Sequence, residues 1–455
     1  MLSSPENRKG FYKYNARGNL GSIGAAALQE MIRKGRDILW DAAGQKGVLT
    51  LADQAVVSGT NFVIGIMIGR ACTKDGFGLY MLGFSIVLFL VNLQTALIGS
   101  PYTVYSPRLE GNAHARYTGS TLIHQLALCV LSVFALGIAS LLLSFDIGPQ
   151  GLAPVVCTLV GVIAFIMLRE YVRQVCFARL RMKTALILDS CVSLIQIGGL
   201  LLLDYIGGLS ASSAYLVVGT ACGIAAPVWV FSIRKAYTLR LGEAMLDFRR
   251  NWSFARWLLA GSLTYAASQQ VYPWLLAGFH GAAATGELSA CMGILFLANP
   301  FLIGMGNFLG PKTAHAVANG GVRDLHRIVT KTAKFFAFTM GIFCVLMFLF
   351  GGWLVVFLYG NKYAGNGFIV GVLALSQLAS ALTFPINYGL NALERPDVGF
   401  KSYLLALGVT LTIGLWLVKS LGTIGVACGL LSGNILASAF RYITLRKHLG
   451  TLSAD

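Results

Sequence analysis

Charge is scarce in this sequence. Asp, Glu, Lys and Arg make up 12% of 455 residues, against 56% for the apolar and aromatic types. A soluble domain carries roughly 25% charge because its surface must face water. The shortage excludes the string of soluble domains that the length alone would suggest. Proline is also rare, at 11, while glycine is abundant, at 53. Abundant glycine suits membrane-spanning helices, whose backbones it lets approach closely. The nine cysteines include no Cys-x-x-Cys pair and lie mostly inside apolar runs. They read as small packing residues, not as metal ligands or disulfides. There is no Asp-x-Asp motif, no His-Glu-x-x-His helix and no Gly-rich loop ending in Lys-Ser/Thr. Each absence argues against an enzyme or an ATP site, so no catalytic residue, cofactor or metal is expected. No apolar segment with a cleavage site opens the chain, so the N-terminus is expected to stay in the cytoplasm.

What is there is a series of apolar runs near 20 residues, the length that crosses a bilayer. Twelve are readable. The first six are 48–69, 78–99, 120–145, 152–168, 184–203 and 211–233. The second six are 254–279, 286–310, 335–358, 367–390, 398–418 and 422–440. The fourth runs into Arg169, and Pro385 interrupts the tenth. With the N-terminus inside, 31 of the 35 Lys and Arg residues fall on the inner side and 4 on the outer. The net charge of +17 is therefore a topology signature rather than a nucleic-acid footprint. Both termini are expected in the cytoplasm.

The chain repeats itself. Gly69 and Gly78 sit like Gly278 and Gly286, Pro101 like Pro311, Ala178 and Arg181 like Ala392 and Arg395. Leu28, Ile32 and Leu39 before the first span match Tyr237, Leu241 and Phe248 before the seventh, both with the spacing of an amphipathic surface helix. Six spans per repeat give both copies one orientation. The expected fold is all-α and membrane-embedded, with two parallel six-helix lobes around a central cleft. The expected organisation is a tail (1–47), an N-lobe (48–233), an amphipathic linker (234–253), a C-lobe (254–440) and a second tail (441–455).

Ionisable residues inside a membrane are costly, which makes them candidates for function. Asp53 and Asp189 lie in the inner third of the first and fifth spans. Arg169, Glu170 and Arg173 end the fourth, and His124 and Gln125 lie at the same level, so one polar cluster is expected there. The two aspartates are the candidate ion or proton sites. Gln54, Ser58 and Asn61 form a stripe on span one; Ser262, Tyr265, Gln269 and Tyr272 form another on span seven, with Gln270 at the repeat position of Asn61. Such amides and phenols both donate and accept, which suits sugar hydroxyls. The other reading is hydrogen-bond glue between helices. Asn299-Pro300 breaks the eighth span. Four Gly-x-x-x-Gly pairs, at Gly65, Gly306, Gly367 and Gly425, mark close packing. Arg70 is an outer anchor or a single cation for a phosphate.

The stretch Ile66-Met-Ile-Gly-Arg70, then Gly76-Phe-Gly-Leu-Tyr80, resembles the opening of bacterial polysaccharide-biosynthesis flippases. These belong to the superfamily that also holds the MATE drug exporters and the lipid II flippase. The resemblance implies a bacterial inner-membrane protein that moves an undecaprenyl-pyrophosphate-linked oligosaccharide between leaflets by alternating access. In that reading Arg70, Arg169 and Arg173 bind the pyrophosphate. Asn61, Gln269, Gln270, Tyr272 and Asn299 line the glycan path, and Asp53 or Asp189 is the trigger. Membrane lipids and a glycan polymerase or export machinery are the expected partners. Relatives of that kind carry Arg or Lys within the cleft, whereas this chain has none at mid-depth. The alternatives are a MATE-like exporter of cationic drugs coupled to a cation and an integral-membrane glycan polymerase or transferase. Against the latter, every outer loop is short, none beyond about ten residues.

Overall fold

A computed structural model describes residues 42–145, 147–232 and 237–452. The amphipathic residues Leu28, Ile32 and Leu39, and the side chains of Tyr265 and Pro311, lie outside the described set. The chain divides into two compact units, Met1–Ala52 and Asp53–Asp455. Helix α1 (Ala42–Ala71) begins in the first and ends in the second.

Every regular element among the described residues is helical. α2 (Lys74–Gln94) continues through a π turn (Thr95–Gly99) into the short α3 (Ser100–Tyr105). α4 (Gly111–Leu143), α5 (Leu152–Ala178), α6 (Met182–Tyr205) and α7 (Ala211–Ser232) complete the first half. The second half is α8 (Leu241–Leu295), α9 (Asn299–Tyr359), α10 (Gly367–Ala392), α11 (Pro396–Val409) and α12 (Leu415–Leu452).

Among the described residues, ten helices are long and apolar enough to cross a membrane, and two of these, Leu258–Val317 and Asp397–Leu449, run for 60 and 53 residues. A straight 60-residue helix would measure about 90 Å, three bilayer cores. The chain instead leaves helical geometry at Gly281 (φ 82°) and at Gly422 (φ 58°). Each long run is therefore two crossings, and the ten make twelve.

The two halves reverse direction at matching residues. Positive φ occurs at Gly111 and Gly321, Gly148 and Gly360, Gly151 and Gly365, Leu180 and Glu394, Gly207 and Gly422. The partners are 210 to 215 residues apart in sequence. The Leu180 turn closes with Arg181 N–H donating to the Cys176 carbonyl (2.8 Å); the Glu394 turn repeats it, Arg395 N–H to Leu390 (2.9 Å). Both are Schellman caps, normally built on glycine. Leucine there is in the left-handed region, at a cost of about 1 kcal/mol. Leu180 is 57% exposed, so Leu180→Gly should raise the unfolding temperature in detergent, because strain is removed and little packing is lost. No rise would show that the turn is built differently.

Four boundaries differ from the sequence expectation. The fourth crossing does not stop at Leu168; α5 continues to Ala178, because Arg169 and Arg173 find buried acidic partners. α10 passes through Pro385 without a break. The linker is not separate from the seventh crossing, since α8 runs on from Leu241. The break in the eighth crossing falls just ahead of Asn299, at a 3-10 turn over Phe296–Ala298.

Candidate functional site

On α5, Arg169 and Arg173 are four residues apart and so share one helix face. Against that face stand Asp189, two turns into α6, and Asp53 of α1. Arg173 Nη2 donates to Asp53 Oδ2 (2.8 Å), and its Nε to Asp189 Oδ2 (2.8 Å). Arg169 Nη2 bonds the other oxygen of Asp189. Glu170 lies at 3.6 Å from Arg169 and 3.5 Å from Arg173. Gln54 Oε1 takes a longer bond from Arg173 (3.5 Å). Both aspartates have no exposed surface, while the two arginines keep 15%. Charges buried to this degree lose several kcal/mol of hydration each, and only mutual pairing offsets the loss.

The count is uneven. Three carboxylates meet two guanidiniums, and Asp53 Oδ1 has no hydrogen-bond partner among the described residues. This arrangement can take up one positive charge, as a proton or a small cation. Both guanidiniums already pair with carboxylates, and Arg169 Nε, like Asp53 Oδ1, has no hydrogen-bond partner among the described residues. His124 and Gln125 do not join the cluster, contrary to expectation. His124 Nε2 donates to the Ala244 carbonyl of α8 (2.8 Å), and Gln125 turns to Cys129 along its own helix.

The lobes meet at the opposite membrane face, where α1 ends. There Gly78 of α2 lies against α8: a Cβ on Gly78 would fall 1.8 Å from the Ala282 carbonyl oxygen, and one on Gly286 2.2 Å from that of Lys74. Backbone meets backbone, so only glycine fits. Lys74 forms an ion pair with Glu287 beside this crossing. Lys362, in the turn after α9, caps the end of α1 by donating to the carbonyls of Arg70 (2.9 Å) and Cys72. Partial burial pushes its ammonium below the usual lysine range. Tyr359 is 2% exposed and presses on Gly69 and Gly293. Its ring packs 5.8 Å from Phe77 and 5.9 Å from Tyr363. Trp274 Nε1 donates to Ser85 Oγ (2.8 Å) deeper in the same seam. The far face is thus sealed between the lobes by close backbone contact, an aromatic cluster and an ion pair.

Solved structures share this architecture. An inward-facing conformation of a multidrug resistance MATE family transporter of the MOP superfamily superposes with a TM-score of 0.72 at 13% identity, covering 88% of this chain and 96% of that one. The fold is that of the MATE transporters. An outward-facing conformation of such a transporter gives 0.60 at 14% identity, covering 90% and 95%. A Vibrio cholerae MATE transporter gives 0.59 at 15%, covering 90% and 96%. No family model and no curated protein matches the chain.

The residues singled out from sequence separate into groups. Asp53, Asp189, Arg169 and Arg173 come together as one network. Arg70 is exposed at the other end of α1. Asn61 is exposed and Gln269, Gln270 and Asn299 are half-buried. Tyr272 is 1% exposed; its ring fills space left by Gly414 and Gly429, so in this conformation it packs the C-lobe and offers no surface to a cleft. The far-face seal was not anticipated. Its signal was present: Lys74 and Glu287 are opposite charges 213 residues apart, within the repeat offset, Lys74 one helical turn before Gly78 and Glu287 next to Gly286.

Proposed function

We propose that this chain is a cation-coupled, alternating-access transporter, and that its cargo is a polyprenyl-pyrophosphate-linked oligosaccharide. The unpartnered Asp53 Oδ1 in a cluster with one carboxylate in excess carries the coupling reading. A proton or cation arriving there neutralises Asp53 and weakens its bond to Arg173. That loosens α1 from α5. The same helix is capped at its other end by Lys362, about 26 Å away along a rigid rod. Loss of the near contact is thereby transmitted to the far seal, and the lobes exchange which face is closed. Sorting of 31 basic residues to the near face supports a cytoplasmic assignment for that side in a bacterial inner membrane.

The Arg70 to Tyr80 resemblance and the amide-bearing stripes support the glycan cargo. The product would then pass to a polymerase or export machinery beyond the far face. One observation favours a cationic drug as cargo instead: Arg169 and Arg173 are held by carboxylates, which leaves acid in excess. Deletion in the native host tests both. Lost surface polysaccharide with lipid-linked units trapped on the inner leaflet is expected for the flippase. Intact polysaccharide with hypersensitivity to cationic drugs would replace it with the exporter.

A further inference from the structure

Beyond Gly321, which breaks α9 with φ 64°, the helix climbs from the near face to Tyr359 at the far seal. One line of side chains runs up it: Arg323, Arg327, Lys331, Lys334, then Phe338, Ile342, Val345, Leu349. The steps of three and four residues keep all eight on one face. The four apolar members are exposed, at 68%, 48%, 58% and 69%. Leu325, Val329 and Phe336, on the opposite face, are buried at 0%, 5% and 0%. A face that shows phenylalanine and leucine to the outside in a membrane protein faces acyl chains. The four basic residues continue that face through the headgroup layer and beyond it on the aqueous side.

The basic section spans about 17 Å along the helix. The headgroup layer of one leaflet is only about 5–8 Å thick. The section is therefore longer than needed to anchor a helix end. All four basic residues are exposed and none is in an ion pair among the described residues. With Asp324, His326 and Thr330 they line a shallow, open surface pocket.

We infer that this face of α9 is a binding site for phosphate-bearing lipid headgroups of the near leaflet. The lipid tail lies along Phe338 to Leu349, and the phosphates meet Arg327, Lys331 and Lys334. Arginine forks and lysine ammonium groups are suited to phosphate oxygens. Two sources share that chemistry: bulk anionic phospholipid and the pyrophosphate of a lipid-linked cargo. The second rests on the flippase reading; the site itself does not.

The test uses the full chain in phosphatidylcholine nanodiscs with a tail-spin-labelled phosphatidylglycerol probe. The association constant for the protein boundary is measured relative to labelled phosphatidylcholine. A preference of at least about fivefold is expected for the unaltered chain, given the attraction per basic residue near an anionic surface. It should vanish in Arg323→Gln/Arg327→Gln/Lys331→Gln/Lys334→Gln. It should persist within about twofold in Arg249→Gln/Arg250→Gln/Lys401→Gln/Arg446→Gln, which removes the same charge elsewhere. Retained preference in the first variant, or equal loss in the second, overturns the site. Unlabelled undecaprenyl pyrophosphate competing about tenfold better than phosphatidylglycerol identifies the cargo as the source; equal competition identifies bulk lipid. No transport is measured, so a chain that carries another cargo can still pass.

Discussion

Gly78→Ala is expected to force the lobes apart at the far face. The added carbon would lie 1.8 Å from the Ala282 carbonyl oxygen, a backbone atom that has no rotamer to adopt. Overpacking at such a contact costs about 1–3 kcal/mol. That cost falls on the sealed conformation alone, because the two helices part when the far side opens. The sealed population should drop roughly five- to a hundredfold relative to the open one. Spin labels at Asp75 and Leu421, in a background with the exposed Cys157 and Cys191 replaced by serine, would report a longer distance. Gly286→Ala should behave alike. Gly65→Ala is the control, since nothing lies within 4 Å of its Cβ position. Distance distributions unchanged by Gly78→Ala would remove the seal from the mechanism.

Arg173→Ala and Asp53→Asn should fail in different ways. Arg173 bonds both buried aspartates. Its removal leaves Asp53 without a cation and Asp189 with Arg169 only. Breaking a buried pair by deleting one partner costs about 3–5 kcal/mol, so Arg173→Ala should unfold in detergent at a markedly lower temperature. Asp53→Asn keeps the shape and removes one negative charge, which leaves two carboxylates against two guanidiniums. It should insert and fold close to normally, yet lose transport driven by an imposed ion gradient. An Arg173→Ala protein as stable as the parent would mean that the network does not form. Asp53→Asn retaining gradient-driven transport would end the coupling role.

Much of the architecture was legible because lipid imposes simple rules. Spans of about 20 apolar residues, basic residues on one side and a repeat near 210 residues follow from one-dimensional pattern. The cluster was half legible. Asp53, Asp189, Arg169 and Arg173 stood out as costly residues at one depth, and one polar cluster was expected there; the phosphate role of the arginines came from the resemblance, and the pairing of individual charges was not in the pattern. Three-dimensional packing shows the four spending their charge on one another. The glycine pairs make the same point. Gly65 and Gly69 look alike in a Gly-x-x-x-Gly pair, yet Gly65 faces open space while Tyr359 crowds Gly69. Spacing says that a small residue is present; only a neighbour says that it is required.

The sequence by itself determined that this is a helical membrane protein with twelve crossings in two like-oriented halves, because hydrophobic length and charge asymmetry are properties of each segment taken alone. The tertiary structure alone decided which buried charges neutralise each other, which face of the lobes is shut and which glycines hold it shut. Those depend on helix rotation about its own axis, and in a segment that is apolar almost all round, pattern carries little information about rotation.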